Sequence, residues 1–201
     1  MTDRPKLQIT AILGTSRPGN YTGKALAITI DELRQNPEVE VVLIDPAEMN
    51  LGFPGASEGP SDADRLQEAV KSATGVILAT PEYHGSFAAT MKLIIENLGF
   101  PSVLAGKPVA LLGTAAGRIG AIKSLEQLRG VCSHIGAIVL PGPVSVAGVQ
   151  SVFDEDGNCL DENVESLLRG VAGNLMDYIK GSVCPRFALE QIVRERTASA
   201  P

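Results

Sequence analysis

The sequence predicts an α/β fold, a three-layer doubly wound sandwich around a five-stranded parallel sheet of order 2-1-3-4-5. Short apolar runs that stop at glycine, proline or a polar turn alternate along the chain with longer stretches of helical period. Strands joined through helices run parallel, and each helix must bury its apolar stripe against one face of the sheet. With 201 residues, 44% of them apolar, the chain can bury one core of this kind without dividing.

Residues 7–13, Leu-Gln-Ile-Thr-Ala-Ile-Leu, form the first strand, an apolar run stopped by Gly14. Residues 20–34 set Ala25, Leu26, Ile28 and Leu33 at helical spacing and end before Asn36-Pro37, which predicts an amphipathic helix. Residues 39–44 are the second strand. Residues 45–60, rich in Pro, Gly and Ser, are too long for an ordinary connection, and loops of that length are functional or mobile as a class. Ser61 caps a helix over 61–73, with Asp62 and Asp64 at its positive end. Strand three follows at 75–80, then Pro81-Glu82-Tyr83-His84-Gly85-Ser86 as a loop, then a helix over 88–98 ended by Gly99 and Pro101. Residues 107–113 are the fourth strand, 119–134 a helix with His134 complementing its negative end, and 136–140 the fifth strand, closed by Pro141-Gly142-Pro143. The last helix spans 161–180. The domain takes residues 1–180, and 181–201 are a polar tail, disordered or packed on a neighbouring subunit. In the 2-1-3-4-5 order, the loops after strands one, three and four open on one crevice where the winding reverses, and ligands belong there.

The balance of 17 Lys plus Arg against 23 Asp plus Glu gives a net charge of -6, which repels a polyanion and argues against a nucleic-acid partner. No apolar run approaches the roughly 20 residues that span a bilayer, and residues 1–6 lack the apolar core of a signal peptide. The expectation is a cytoplasmic protein with no membrane partner. Cys132, Cys159 and Cys184 are odd in number and far apart, which predicts free thiols. Asp154, Asp156, Asn158, Glu162 and Glu165 have the spacing of calcium-loop ligands, but Cys159 stands where that loop needs glycine. A turn before an acidic helix start explains the same residues, and no metal is expected.

The first crevice loop, Gly14-Thr15-Ser16-Arg17-Pro18-Gly19-Asn20-Tyr21-Thr22-Gly23, is dense in hydroxyls and glycines and feeds a helix N-terminus. Free backbone N–H groups, the positive end of the dipole, hydroxyls and a guanidinium fork all suit a phosphate dianion. The same composition also serves a polar cap without a ligand. Gly14 and Gly19 have the spacing of a nucleotide P-loop, yet Asn20-Tyr21 stand where Lys and Ser or Thr are required. Nor is there a Gly-x-Gly-x-x-Gly for a dinucleotide pyrophosphate. A terminal monophosphate fits better.

With Pro81-Glu82-Tyr83-His84-Gly85-Ser86 after strand three, this loop resembles the NADPH-dependent FMN reductase family, flavodoxin-like in fold, with azo-, quinone- and chromate-reducing members. The resemblance covers residues 7–180. The family's first loop reads approximately Gly-Ser-x-Arg-x-x-Ser; Gly14, Thr15 and Arg17 match, and Asn20 replaces the second Ser. The resemblance implies that Thr15, Ser16, Arg17, Asn20, Tyr21 and Thr22 hold the phosphate of FMN. It implies that backbone groups of Glu82, Tyr83 and His84 line the isoalloxazine edge, that Pro81, Gly85 and Ser86 bind the cofactor with them, and that Lys92 lies nearby. Thr114, Gly117 and Arg118, from Gly113-Thr114-Ala115-Ala116-Gly117-Arg118-Ile119-Gly120, would meet its pyrimidine end, where small residues admit the backbone closely. His84 stands where the family usually has Asn and is the one candidate proton or hydrogen-bond donor to an acceptor. Glu82 and Lys92 read either as a charge pair or as solvated groups. Leu93 and Asn97 depart from the family's usual pattern in the next helix, which weakens the dimer contact that helix commonly makes.

The implied activity is ping-pong hydride transfer from NADPH or NADH, through FMN, to a small acceptor: a quinone, an azo compound, a metal oxyanion or a flavin. The implied assembly is a homodimer or homotetramer. Two other readings stay open. A flavodoxin-like electron carrier shares the fold, but its phosphate loop is normally rich in Thr and Ser and lacks Arg. A non-catalytic module could keep the crevice for another phosphate ligand.

Overall fold

The apolar run at the start of the chain becomes β1 (Leu7–Leu13), paired in parallel on both sides, with β2 (Val39–Ile44) and β3 (Gly75–Tyr83). Ile9, Ala11 and Ile12 are fully buried, as residues of a strand covered on both faces must be. The computed structural model describes residues 6–55 and 61–198; expectations for the rest of the 45–60 loop, the N-terminal residues and the end of the tail lie outside the described residues.

β3 is longer than expected and runs through Pro81, Glu82 and Tyr83. It then folds back into β4 (Ser86–Phe87), so the predicted loop 81–86 is a β-hairpin. Glu82 pairs with Phe87 and Tyr83 with Ser86, leaving His84 and Gly85 as the two turn residues with φ of 53° and 74°. Two left-handed residues in succession give the turn whose twist matches a hairpin, and the left-handed demand falls on a non-glycine at His84.

On its other side β3 pairs in parallel with β5 (Pro108–Thr114), and β5 pairs with β6 (Ile138–Val139). The path β2-β1-β3-β5-β6 is the expected 2-1-3-4-5 order when parallel strands alone are counted. The sheet has seven strands rather than five. One addition is β4. The other arises because the fifth position is shared: β6 pairs with the start of β5, and β7 (Val144–Val146) pairs with its end. Pro141-Gly142-Pro143 therefore interrupts that position instead of closing it, since proline cannot donate to a ladder.

Alternation along the strands divides the core into two layers. Ile77 and Ala79 face α1 (Tyr21–Arg34) and α5 (Glu162–Tyr178); Val76 and Leu78 face α2 (Ala63–Ser72), α3 (Ala89–Glu96) and α4 (Ile122–His134). In the first layer Arg169 of α5 reaches Asp31 (2.8 Å) and Glu32 (3.1 Å) of α1 and Glu165 (2.9 Å) of its own helix. That guanidinium holds the Asp31 carboxyl below the usual carboxylate range.

Among the boundaries that differ from expectation, three have a local cause. α2 starts at Ala63, because the Ser61 hydroxyl accepts the Ala63 N–H (3.2 Å) while the Asp62 carboxylate accepts the Asn50 N–H (2.7 Å). α4 starts at Ile122, because residues 117–120 form a turn with the Gly120 N–H on the Gly117 carbonyl (3.1 Å) and Gly120 at φ 76°. Past Gly181 the chain is not irregular. A π-helical turn (Ile179–Val183) carries α5 into α6 (Cys184–Ala198).

Candidate functional site

The ends of β1, β3 and β5 meet at a cleft of about 390 Å³, a size that suits a small organic ligand. The chain leaves β1 in a tight place. Gly14 donates its N–H to the Ala79 carbonyl at 2.7 Å. A Cβ on Gly14 would sit 2.8 Å from that oxygen, so this position needs glycine for close approach.

The first loop is organised from within. The Thr15 hydroxyl, buried, accepts the Arg17 N–H (3.4 Å). Asn20 caps α1, its Oδ1 accepting the Gly23 N–H (2.6 Å) while its Nδ2 donates to the Arg17 carbonyl (2.8 Å). Asn20 thus shapes the turn with both ends of its amide. The next N–H groups, of Tyr21 and Thr22, open the helix and have no intrahelical acceptor by construction. The Arg17 guanidinium lies over the Tyr83 ring, 4.4 Å from its centroid. Beneath, the buried hydroxyls of Thr22 and Thr114 are 2.6 Å apart and join the first loop to the third.

The hairpin is tied to α4. Glu82 Oε2 accepts the Ser124 N–H (3.1 Å) in the first turn of α4. Gln127 Nε2 donates to the Gly85 carbonyl (3.0 Å), and the Ser86 hydroxyl bonds Gln127 Oε1 (2.6 Å). The third loop rests on β7 and the turn after it. Ala115 donates to the Val146 carbonyl (2.9 Å), Val149 to the Ala115 carbonyl (3.1 Å) and Gly148 to the Gly117 carbonyl (3.2 Å). The N–H groups of Ala116, Gly117 and Arg118 have no acceptor among the described residues.

Of the residues proposed from sequence, Arg17, Asn20, Tyr21, Thr22, Pro81, Glu82, Tyr83 and Thr114 line the cleft together. Thr15, Ser16, His84, Gly85, Ser86, Gly117 and Arg118 do not line it. Thr15 is buried behind the loop, Ser16, Gly117 and Arg118 are exposed, and His84 is exposed at the hairpin turn. Lys92 is elsewhere: it pairs with Glu96 and borders a separate groove with Phe100 and His134. Glu82 and Lys92 therefore form no pair with each other. Val149 and Gln150 also line the cleft and were missed. Their signal was weak but present, since Val144-Ser145-Val146-Ala147-Gly148 is a short alternating run ending at glycine.

The Asp154 carboxylate closes its own turn, accepting the Asn158 N–H (2.7 Å) and side-chain amide (2.8 Å), while Glu165 faces Arg169. Among the described residues no three His, Cys, Asp or Glu side chains are gathered as metal ligands. All three cysteines are free thiols. Burial pushes the Cys132 thiol up to about 12. No helix of the described residues is long and apolar enough to cross a membrane.

A doubly wound sheet of this order, with an arginine- and hydroxyl-bearing loop after β1 facing a hairpin and a small-residue loop across one crevice, defines a flavodoxin-like protein. The model of the NADPH-dependent FMN reductase family matches residues 7–151, and the chain belongs to that family. It is 30% identical over 172 residues to an NAD(P)H-dependent FMN reductase of Pseudomonas aeruginosa, covering 81% of this chain and 90% of that one. It is 29% identical over 187 residues to the quinone reductase of Escherichia coli K12, covering 87% and 96%. The solved structure of FerB, a flavoenzyme NAD(P)H:(acceptor) oxidoreductase from Paracoccus denitrificans, superposes with a TM-score of 0.72 at 22% identity, covering 87% of this chain and 98% of that one. At that identity the last likeness speaks to the fold. Family membership makes the protein an oxidoreductase that works with FMN and a reduced nicotinamide.

Proposed function

We propose that this cleft holds FMN, with the phosphate at the first loop and the ring between the hairpin and the third loop, and that the chain uses NAD(P)H to reduce a small acceptor of the quinone class. The observation that carries the reading is the convergence of Arg17, the open N–H groups of Tyr21 and Thr22, and the third loop on one cleft of about 390 Å³. A dianion suits the first loop, because the donors, the dipole end and the guanidinium supply positive potential. Of the third loop, Thr114, Ala115 and Ala116 line the cleft, and the backbone N–H of Ala116 is free to meet a carbonyl-bearing ring edge. When bound, FMN supplies hydride chemistry. The chain's own part is to bind, to orient and to hold the hairpin rigid through Glu82 and Gln127. The quinone relative supports the acceptor class. The reading includes the cytoplasm as compartment, which three free thiols fit, and a homo-oligomer as working form.

Arg17→Ala tests the placement. A charge-assisted bond is worth about 1.5–3 kcal/mol, so the FMN dissociation constant should rise roughly 10- to 150-fold. Turnover per bound FMN should be unchanged. FMN affinity equal to the parent's contradicts the phosphate assignment.

A further inference from the structure

Arg17 belongs to a surface loop, yet its position is defined from two sides. Its N–H is held by Thr15 and its carbonyl by Asn20, and Pro18 fixes the chain direction just after it. Its side chain carries four rotatable bonds and much rotamer freedom. None of the ion pairs of the described residues involves it. What it meets is the Tyr83 ring, with its guanidinium carbon 4.4 Å from the centroid. That ring has a rigid base, since Tyr83 pairs with Ser86 and the hairpin is bonded to Gln127 and Ser124 of α4.

A guanidinium has two recognition surfaces. Its flat face stacks on an aromatic ring, while its N–H donors lie in its plane and point outward. A ring held against the face leaves the donors available to an anion.

We propose that Tyr83 is a positioning residue for Arg17: its ring fixes the guanidinium beside the first loop, and so Tyr83 sets the preference for a phosphorylated flavin over the same flavin without phosphate. This rests on reading Arg17 as the phosphate ligand. It assigns to the tyrosine side chain a role across the cleft, distinct from any role of its backbone at the ring edge. Through Arg17, Tyr83 couples the hairpin to the phosphate loop.

The experiment is a flavin-fluorescence titration of full-length apoprotein with FMN and with riboflavin. The variants are Arg17→Ala, Tyr83→Leu, Tyr83→Phe and the Arg17→Ala/Tyr83→Leu pair. A cation–ring contact of ordinary strength corresponds to roughly 2- to 30-fold in affinity. Tyr83→Leu should weaken FMN binding by a factor in that range and leave riboflavin binding at the parent's value, which also reports an intact fold. Tyr83→Phe, which keeps the ring face, should restore FMN affinity. In the Arg17→Ala background Tyr83→Leu should have no further effect. If Tyr83→Leu weakens riboflavin as much as FMN, or adds fully to Arg17→Ala, the ring acts on the flavin and the proposal is overturned. If Arg17→Ala leaves the FMN-to-riboflavin ratio unchanged, the phosphate assignment itself fails first.

Discussion

Adding one methyl group at Gly113 tests how the third loop is supported. Gly113 lies near the end of β5, opposite Thr80 of β3 and Ser145 of β7. A Cβ there would stand 2.7 Å from the Ala121 Cβ and 2.9 and 3.0 Å from Leu125 Cγ and Cδ1. Leu125 can turn, but the Ala121 Cβ moves only with its backbone. That backbone is fixed by the Ser145 hydroxyl, which accepts the Ala121 N–H at 2.8 Å. Relief therefore requires α4 to lift, which strains the bonds from Glu82 and Gln127 to the hairpin. Burying the methyl returns about 0.8 kcal/mol, less than the strain of overpacking a closed site. The expected net loss for Gly113→Ala is ~1–3 kcal/mol. At ~2–4 °C per kcal/mol for a chain of this size, Tm should fall by ~2–12 °C. Gly173→Ala is the matched control: it is exposed on α5 with nothing within 4 Å of a new Cβ. Alanine there should raise stability by ~0.5–1 kcal/mol. Thermal melts followed by circular dichroism compare the two. A Gly113→Ala protein melting at or above the parent, beside a control that behaves as expected, refutes the close-packing account.

Three further outcomes follow from the geometry. In the native protein a thiol reagent at pH 8 should label Cys159 and Cys184, both half-buried, while Cys132, its thiol pushed up to about 12, should react only after unfolding; mass spectrometry of the labelled peptides reads this directly. The Asp31 carboxyl is lowered in the folded state by Arg169, so its contribution is present above the unfolded value of about 3.9 and is lost as pH falls through the lower folded value. The Tm difference between the parent and Arg169→Met should shrink on acidification below about pH 4, and a difference that stays constant to the lowest folded pH contradicts the ion-pair account. His84→Asn should leave acceptor reduction near the parent rate in steady-state assays, because His84 is exposed at the turn and outside the cleft lining; a loss of ~10²-fold or more would make it a general acid.

Periodicity and punctuation were enough to read β1, β2 and α1, because each is a run of one period ended by a turn with Gly or Pro; the order of the parallel strands came from the rule for doubly wound sheets. Hydrogen-bond partners distant in sequence were not legible. Residues 81–86 read as a loop because His84-Gly85 lacks the Asn-Gly or Asp-Gly of a familiar hairpin, and what stabilises the turn is Gln127, more than 40 residues away in sequence. β7 escaped notice because three residues carry too little alternation to stand out, although they support the third loop and bring Val149 and Gln150 to the cleft. At the site, residue types near the crevice were legible, but the direction of each side chain was not. Asn20 turned inward as a cap, Thr22 found Thr114, and Lys92 faced Glu96. For the tail, polarity left disorder and packing on a neighbouring subunit both open, and the backbone run from α5 through a π-helical turn continues it as α6.

The divided fifth position also bears on how the molecule behaves in a crowded solution. A long outer strand offers a row of unsatisfied amides on which a foreign chain can lengthen the sheet. Here that margin is two short pieces, Ile138–Val139 and Val144–Val146, separated by two prolines. The break that gives the third loop its support also denies an intruding strand a continuous rail, so resistance to strand addition at this margin comes from backbone chemistry.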